Sequence, residues 1–420
     1  MTNSFRDKVV MVIDYGNFLP VAQRLARDFG KVLYYIPWET AFPKYNSYVI
    51  GTGIANVQRV YSIYDHINEV DIFVFCDLFF GPMQEWLRSL GKRVFGAGRG
   101  EDMEIYRDRM KFLQTDLGLP INEYEVLHGL DSLRNYLKYN DNKFVKTNIM
   151  RGHFESFRHE NYLLSKPLLD ELEHSLGIYK EDQVFIVEAP IEAICEIGYD
   201  GFVIDGKYPN KTLVGLEIKD CGYCGVVTDY YKLPVQLKKI TGALSDTFRS
   251  YNYRGSYTNE VRIGVDRKGY LIDQTCRQPE PPTSLQLEIF DNYSEIVWEV
   301  AGGNVPVIRN KYKYGVQVII KSEWAKTEPQ AIYFPEQYRD FIKIKNLAIL
   351  DGVYYYIPQA VQMAEIGGVI GMGDTLNEAI EQATKIAKEV KGYRLCCNIQ
   401  SLQECKGLVD GLKRAGLGLF

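Results

Sequence analysis

The first hundred residues alternate between buried-strand and helix patterns, and that rhythm limits the fold more than any other feature of the chain. Val9–Ile13 (VVMVI) is an unbroken apolar run of strand length. Leu19–Phe29 carries apolar residues at helical spacing and stops at Gly30. Further strands are expected at Val32–Ile36, Tyr48–Ile50, Asp71–Phe75 and Arg93–Phe95, with helices near Ala55–Ile67 and Met83–Leu90. Strand–helix alternation of this kind builds a parallel sheet with helices on both faces. Two glycine-rich turns, Gly51-Thr-Gly53 and Gly96-Ala-Gly98, are read as loops at the carboxyl edge of that sheet, where ligands of open α/β sheets bind. Neither completes a dinucleotide fingerprint, because the sixth position is Asn56 in one and Glu101 in the other.

A second feature carries the chemistry. Asn259–Pro282 (NEVRIGVDRKGYLIDQTCRQPEPP) reads as two strands around Asp266-Arg267-Lys268-Gly269. Val261, Ile263 and Val265 alternate with Glu260, Arg262 and Gly264, a period of two. A four-residue loop would set Arg262 opposite Asp273 and Glu260 opposite Thr275, with Arg277 further along. A lone hairpin with such a face is most simply a wet surface with cross-strand ion pairs. Two carboxylates and two guanidiniums on one face also suit a divalent cation and the phosphates it bridges.

The rest of the chain extends the pattern. A helix is expected over Glu104–Leu117, stopped by Gly118-Leu-Pro120. Strands follow at Lys143–Lys146 and Val184–Val187, with a helix near Leu168–Leu176 between them. A helix around Ser284–Val300 leads to a boundary at Gly302-Gly303-Asn304. In the last unit Thr375-Leu-Asn-Glu378 is a capping box, and the stripe from Leu376 to Val390 marks the helix behind it. The tail is expected to hold a helix over Leu402–Ala415.

Bulk properties exclude several classes. The net charge of −5 argues against nucleic-acid binding driven by overall charge. No apolar run reaches the length of a membrane span, and the amino terminus lacks a signal-peptide pattern. The 8 cysteines are expected to be reduced thiols in a cytoplasmic protein, and Cys221-Gly-Tyr-Cys224 lacks the second pair a zinc site requires.

Four elements stand in order: the helix bearing Arg107 and Lys111; Phe144-Val-Lys146 followed by Arg151-Gly-His-Phe-Glu-Ser156; Phe185-Ile-Val-Glu188 with Glu196 after it; and the acidic hairpin. This order resembles the ATP-grasp superfamily, and within it the phosphoribosylamine–glycine ligase branch. Glu365-Ile-Gly-Gly-Val-Ile-Gly-Met-Gly-Asp-Thr-Leu-Asn-Glu-Ala is similar to that branch's C-terminal segment.

The resemblance implies an ATP-grasp fold of α/β and α+β parts. Residues 1–104 would form an N-terminal α/β domain and 105–302 the nucleotide-binding domain, with a lid at about 121–195. Residues 303–395 would form a small C-terminal α+β domain, and 396–420 a tail. It implies an ADP-forming ligase that joins a small carboxylate to an amine, with ATP and Mg²⁺, and a homodimer as the default assembly.

Residue by residue, it implies that Arg107, Lys146, Arg151, His153, Glu188 and Glu196 bind the nucleotide. Lys146 would meet phosphate, the loop at Arg151 and His153 would cover it, Glu188 would read the adenine edge, and Glu196 would accept from the ribose. Glu260, Asp273 and Thr275 would hold magnesium. Arg277, Arg262 and Lys219 would complete the catalytic set. Arg107 stands where the family has lysine, and Thr275 where it has asparagine. Asp14-Tyr-Gly-Asn17 stands where the ligase has its glycine-rich substrate loop, so the purine-pathway substrate is not expected.

Overall fold

The computed structural model describes residues 5–37, 49–149, 154–218, 222–359, 363–414 and 416–417. The amino-terminal unit is a five-stranded sheet, and every pair in it is parallel. Its spatial order is Val57–Val60, Phe29–Tyr35, Phe5–Ile13, Ile72–Phe75 and Arg93–Phe95. The order reverses beside Phe5–Ile13, which leaves a crevice outside the carboxyl ends of that strand and Ile72–Phe75. Val10, Val12, Ile72 and Val74 are fully buried, as expected for strands covered on both faces.

The expected helix near Ala55–Ile67 is instead the edge strand Val57–Val60 and a short 3₁₀ turn, Tyr64–His66. Val57, Val60 and Ile63 repeat every three residues, which mimics a helix. Pairing of Val57 with Val32 and Val60 with Tyr35 decides for strand. Gly51-Thr-Gly53 therefore precedes a strand rather than following one. Tyr48 lies outside the described residues, and Ile50 sits in a turn. Gly51 N–H donates to Leu347 O, and a Cβ on Gly53 would lie 1.8 Å from Ile349 O, so this turn is a close packing joint with residues 347–350. Gly96 and Gly98 do follow the strand Arg93–Phe95.

The centre is a nine-stranded sheet whose pairs are all antiparallel. It begins with the hairpin Arg254–Gly264 and Gly269–Thr275, continues through Ala193–Ile204, Lys211–Ile218 and Gly222–Asp229, and runs on into Tyr314–Ser322 and Glu365–Gly373. The sheet thus crosses the Gly302–Asn304 boundary without interruption, with Gly222 opposite Val318 and Tyr223 opposite Gln317. A separate four-stranded sheet of Tyr124–His128, Val184–Glu188, Lys143–Thr147 and Ser156–His159 stands in the expected lid region.

Two long helix expectations are broken. The chain kinks at Tyr106 (φ −102°, ψ 80°), which splits the first into Asp102–Ile105 and Arg107–Asp116. Phe290 leaves the second helix to pair with Asn310, which divides it into Pro282–Ile289 and Tyr293–Ala301. The capping box at Thr375 and Glu378 is present in both directions. The last helix, Ser401–Arg414, is packed: Leu402, Cys405 and Leu412 are fully buried with strand residues Leu216 and Cys224 in one core cluster. Among the described residues no helix is long and apolar enough to cross a membrane.

Candidate functional site

The acidic hairpin pairs differently from the expected register. Glu260 stands opposite Asp273, Thr258 opposite Thr275 and Arg262 opposite Tyr270. A bulge lies between Glu260 and Val261, where Val261 pairs with Leu271 and Ile272 is the extra residue. Sequence spacing does not reveal a bulge. Its effect is to seat both carboxylates on one rung, closer together than the expected diagonal. Burial, then Asp273, Glu217 and Glu196, push the Glu260 carboxyl well above its ordinary range, and Lys146 only partly offsets them.

The rung opens into a cavity of about 400 Å³. Glu196, Glu217, Glu260, Arg262, Thr275 and Arg277 all contribute to its lining. Its deeper end reaches Asp200 and Glu280, and Gly407 and Gly411 of the last helix close one side. Gly215 keeps the floor low: a Cβ there would lie 2.1 Å from Tyr223 Oη and 2.3 Å from Asp200 Oδ2.

Beside the rung, the small sheet and the helix Arg107–Asp116 each supply a lysine. Lys146 Nζ lies 3.3 Å from the Glu188 carboxylate and donates to Ile272 O, in the bulge itself. Lys111 pairs with the other Glu188 oxygen. Burial pushes Glu188 upward, but Lys146 and Lys111 outweigh it and hold the carboxyl below its usual range. Burial dominates at Lys111 and lowers its pKa despite Glu188. Lys111, one helical turn beyond Arg107, belongs to this cluster as closely as Lys146 does. Its i,i+4 spacing from Arg107 was the available signal. Glu217, two residues before Lys219, is a further acidic contributor that strand alternation could have marked.

The other expected residues sort as follows. Glu196 meets Arg262 at 3.0 Å, and that guanidinium also lies 5.6 Å from the Phe144 ring centroid. Arg262 therefore faces Glu196 rather than Asp273, because the register differs. Arg107 donates to Thr147 O at 3.0 Å and pairs with Glu155, so it ties the helix to the small sheet. Arg277 lies 3.2 Å from Glu104 and 3.5 Å from Asp77, and so connects the cavity to the crevice of the amino-terminal sheet. Arg151, His153 and Lys219 lie outside the described residues.

No protein-family model and no curated protein matches the chain by sequence. Solved structures do match. Phosphoribosylamine–glycine ligase from Thermotoga maritima superposes with a TM-score of 0.71 at 15% identity, over 93% of this chain and 98% of that one. The chain has the ATP-grasp fold. The biotin carboxylase domain of Hydrogenobacter thermophilus 2-oxoglutarate carboxylase, solved with MgADP and bicarbonate, gives 0.68 at 12% identity over 96% and 95%. N5-carboxyaminoimidazole ribonucleotide synthetase from Thermotoga maritima gives 0.59 at 14% identity over 92% and 99%. The expected fold, with a parallel α/β unit ahead of antiparallel sheets, is thereby borne out.

Among the described residues no three His, Cys, Asp or Glu side chains converge as a metal cage of their own. Magnesium does not require one, since it is usually held by one or two carboxylates together with substrate phosphates and water. A rung of two facing carboxylates, crowded by Glu217 and Glu196, has the donor chemistry for that ion.

Proposed function

We propose that this chain is an ATP-dependent ligase that joins a carboxylate to an amine through an acyl phosphate and releases ADP. The rung of Glu260 opposite Asp273, with Glu260 lining the cavity and Lys146 donating to the bulge residue Ile272, supports this most directly. The neighbouring structures that hold ADP or MgADP support the same reading.

The residues divide the work. Lys111, Lys146 and Glu188 form the polar patch under the small sheet where the nucleotide would sit, and nucleotide would exchange for part of their mutual pairing. Glu196 with Arg262 offers a carboxylate to the ribose hydroxyls. Glu260 and Asp273, with Thr275 beside them, would hold Mg²⁺, which supplies positive charge against the transferring phosphate. Arg277 stands at the junction of cavity and crevice, where it can orient the acid that attacks the γ-phosphate and then the acyl phosphate. Arg151, His153 and Lys219 remain part of the proposed set. The small sheet would exclude water, which otherwise hydrolyses an acyl phosphate. In the transfer step the protein positions groups and neutralises charge; it needs no nucleophile of its own. Domain limits of 1–104, 105–302 with the lid, 303–395 and 396–420, and a homodimer, are the working arrangement.

One observation favours a second reading, an ATP-binding module without turnover. Arg107 is consumed by Thr147 O and Glu155 rather than presented to phosphate. Calorimetric titration with a non-hydrolysable ATP analogue, with and without magnesium, separates these outcomes when followed by ADP release over a panel of acids and amines. Magnesium-dependent binding with ADP release supports the ligase. Binding without release on any pair supports the module. No binding in either condition refutes both.

A further inference from the structure

Asp200 lines the cavity but takes no part in the nucleotide or metal positions. It stands opposite Thr258 on the neighbouring strand, and Glu260 lies two residues further along that strand. The two acidic positions therefore share one face of the sheet, about 7–8 Å apart. Gly198 occupies the place between them, opposite Glu260 on one side and Gly215 on the other. A Cβ on Gly198 would lie 3.7 Å from each Asp200 carboxylate oxygen. The carboxylate thus leans toward the metal rung, across two residues that carry no side chain. This bare floor, with Asp200 at one end and Glu260 at the other, belongs to the cavity that Thr275 and Arg277 also line.

Two other buried carboxylates near the cavity are matched by cations. Glu188 has Lys146 and Lys111, and Glu104 has Arg277. Asp200 is equally enclosed, at 2% exposure, and has hydroxyls instead. Tyr223 Oη donates to Asp200 Oδ2 at 2.5 Å. Burial raises the carboxyl to about 6, and the hydroxyls of Tyr223 and Thr258 hold it back only in part. A carboxylate kept from water without a cation is costly. One that lines a cleft and titrates close to neutral pH suits proton transfer. Tyr223 fixes its orientation, and an ionised carboxylate has acceptor sites to spare beyond two hydroxyls.

We propose that Asp200 is the proton acceptor for the attacking amine, a catalytic residue of the second half-reaction. The inference rests on the ligase reading above and adds a residue to it. The amine arrives as an ammonium ion and cannot attack until it loses a proton. Asp200 takes that proton, and the neutral nitrogen adds to the acyl carbon above the bare floor. The C–N bond forms, the C–O bond to phosphate breaks, and phosphate leaves with the electron pair. The nitrogen's second proton goes with the departing phosphate. Asp200 returns the first to water once the amide has left.

The test uses the full chain with ATP and magnesium at pH 7, with acetate, glycine, succinate and glutamate as acids. Each acid is offered two kinds of amine. Ethanolamine, putrescine, lysine and glucosamine are largely ammonium ions and need a base. Hydroxylamine is largely neutral and does not; it reports the acyl phosphate as a coloured hydroxamate. Asp200→Asn should lower amide formation with the ammonium amines by about a hundredfold or more, as loss of a general base does, while hydroxamate formation stays within about threefold. Tyr223→Phe keeps the carboxylate and removes a hydrogen bond that lowers its pKa, so the acid limb of amide formation against pH should move upward. This variant reads the role even where Asp200→Asn fails to fold. The other titratable groups of the cavity, Glu196, Glu217, Glu260, Arg262, Arg277 and Glu280, are the same in wild type and variants. Equal losses with both kinds of amine, no loss with either, or an unmoved limb in Tyr223→Phe overturns the proposal. Absence of acid-dependent ADP release from the wild type refutes the ligase reading instead.

Discussion

Glu288 offers a perturbation whose size can be worked out from its surroundings. It lies on the helix Pro282–Ile289 and is 3% exposed. Arg27 of the amino-terminal unit grips it with two hydrogen bonds of 2.8 and 2.9 Å, and Lys343 of the carboxyl-terminal unit adds one of 2.7 Å. Burial alone would raise this carboxyl, but Lys343 and Arg27 outweigh it and bring it from 4.5 to about 2. At about 1.4 kcal/mol per pH unit, that difference is worth about 3 kcal/mol. The partner tempers the figure, because burial pushes Lys343 below its ordinary value. Glu288→Gln should therefore lower stability by about 2–3 kcal/mol at pH 7, near the lower limit for breaking one member of a buried pair. The sign follows from linkage: a depressed carboxyl contributes fully above 4.5 and loses its contribution as pH falls toward about 2. Urea unfolding of both proteins at pH 7 and pH 3 reads it directly. The gap between them should shrink to less than half at pH 3. A gap that is equal at the two pH values, or below about 0.5 kcal/mol at pH 7, would show that the three-way contact does not hold the units together.

Other consequences are as direct. Glu260→Gln or Asp273→Asn should abolish the magnesium dependence of analogue binding in calorimetry, while the metal-free protein becomes no less stable because crowded negative charge is relieved; undiminished magnesium dependence in both would remove the metal rung. Glu188→Gln leaves Lys111 and Lys146 facing each other and should cost about 3 kcal/mol at pH 7. Because Lys111 is already depressed by burial, the variant should recover part of that loss as pH rises toward 10 and the lysine sheds its proton; a deficit constant from pH 7 to 10 counts against the pairing. Gly215→Ala should destabilise by about 1–3 kcal/mol, since its Cβ strikes Tyr223 and Asp200. Gly407→Ala meets nothing within 4 Å and should stabilise its helix by up to about 1 kcal/mol; thermal midpoints that move the same way in both would contradict the packing described.

The order of elements was legible because it rests on short-range pattern. Val9–Ile13 and Ile72–Phe75 are apolar throughout, and only a doubly covered strand tolerates that. The acidic residues of the hairpin were visible as a face, and two of them do meet. What failed were features that depend on partners distant in sequence. The bulge at Ile272, which moves Asp273 opposite Glu260 and Tyr270 opposite Arg262, leaves no mark in the alternation. Val57–Val60 reads as helix until Val32 is beside it. Lys111 was named with Arg107 on its helix but given no role; its pairing with Glu188, which arrives from another strand, makes it part of the site. The pairing of Arg107 with Glu155 was likewise not foreseen, because no local pattern predicts the position of Glu155.

The uninterrupted central sheet has a practical consequence for anyone who shortens this protein. Cutting after Gly302 would look safe from the glycine pair alone. It would strip Tyr314–Ser322 away from Gly222–Asp229, a strand whose Tyr223, Cys224, Val226 and Val227 are buried on both faces. That strand would become a bare apolar edge, the kind that recruits other chains into aggregates. A truncated nucleotide-binding fragment should therefore precipitate, whereas splitting the chain at the 302–304 turn and co-expressing the two pieces should yield a soluble complex, because the missing strand is then supplied whole and in trans.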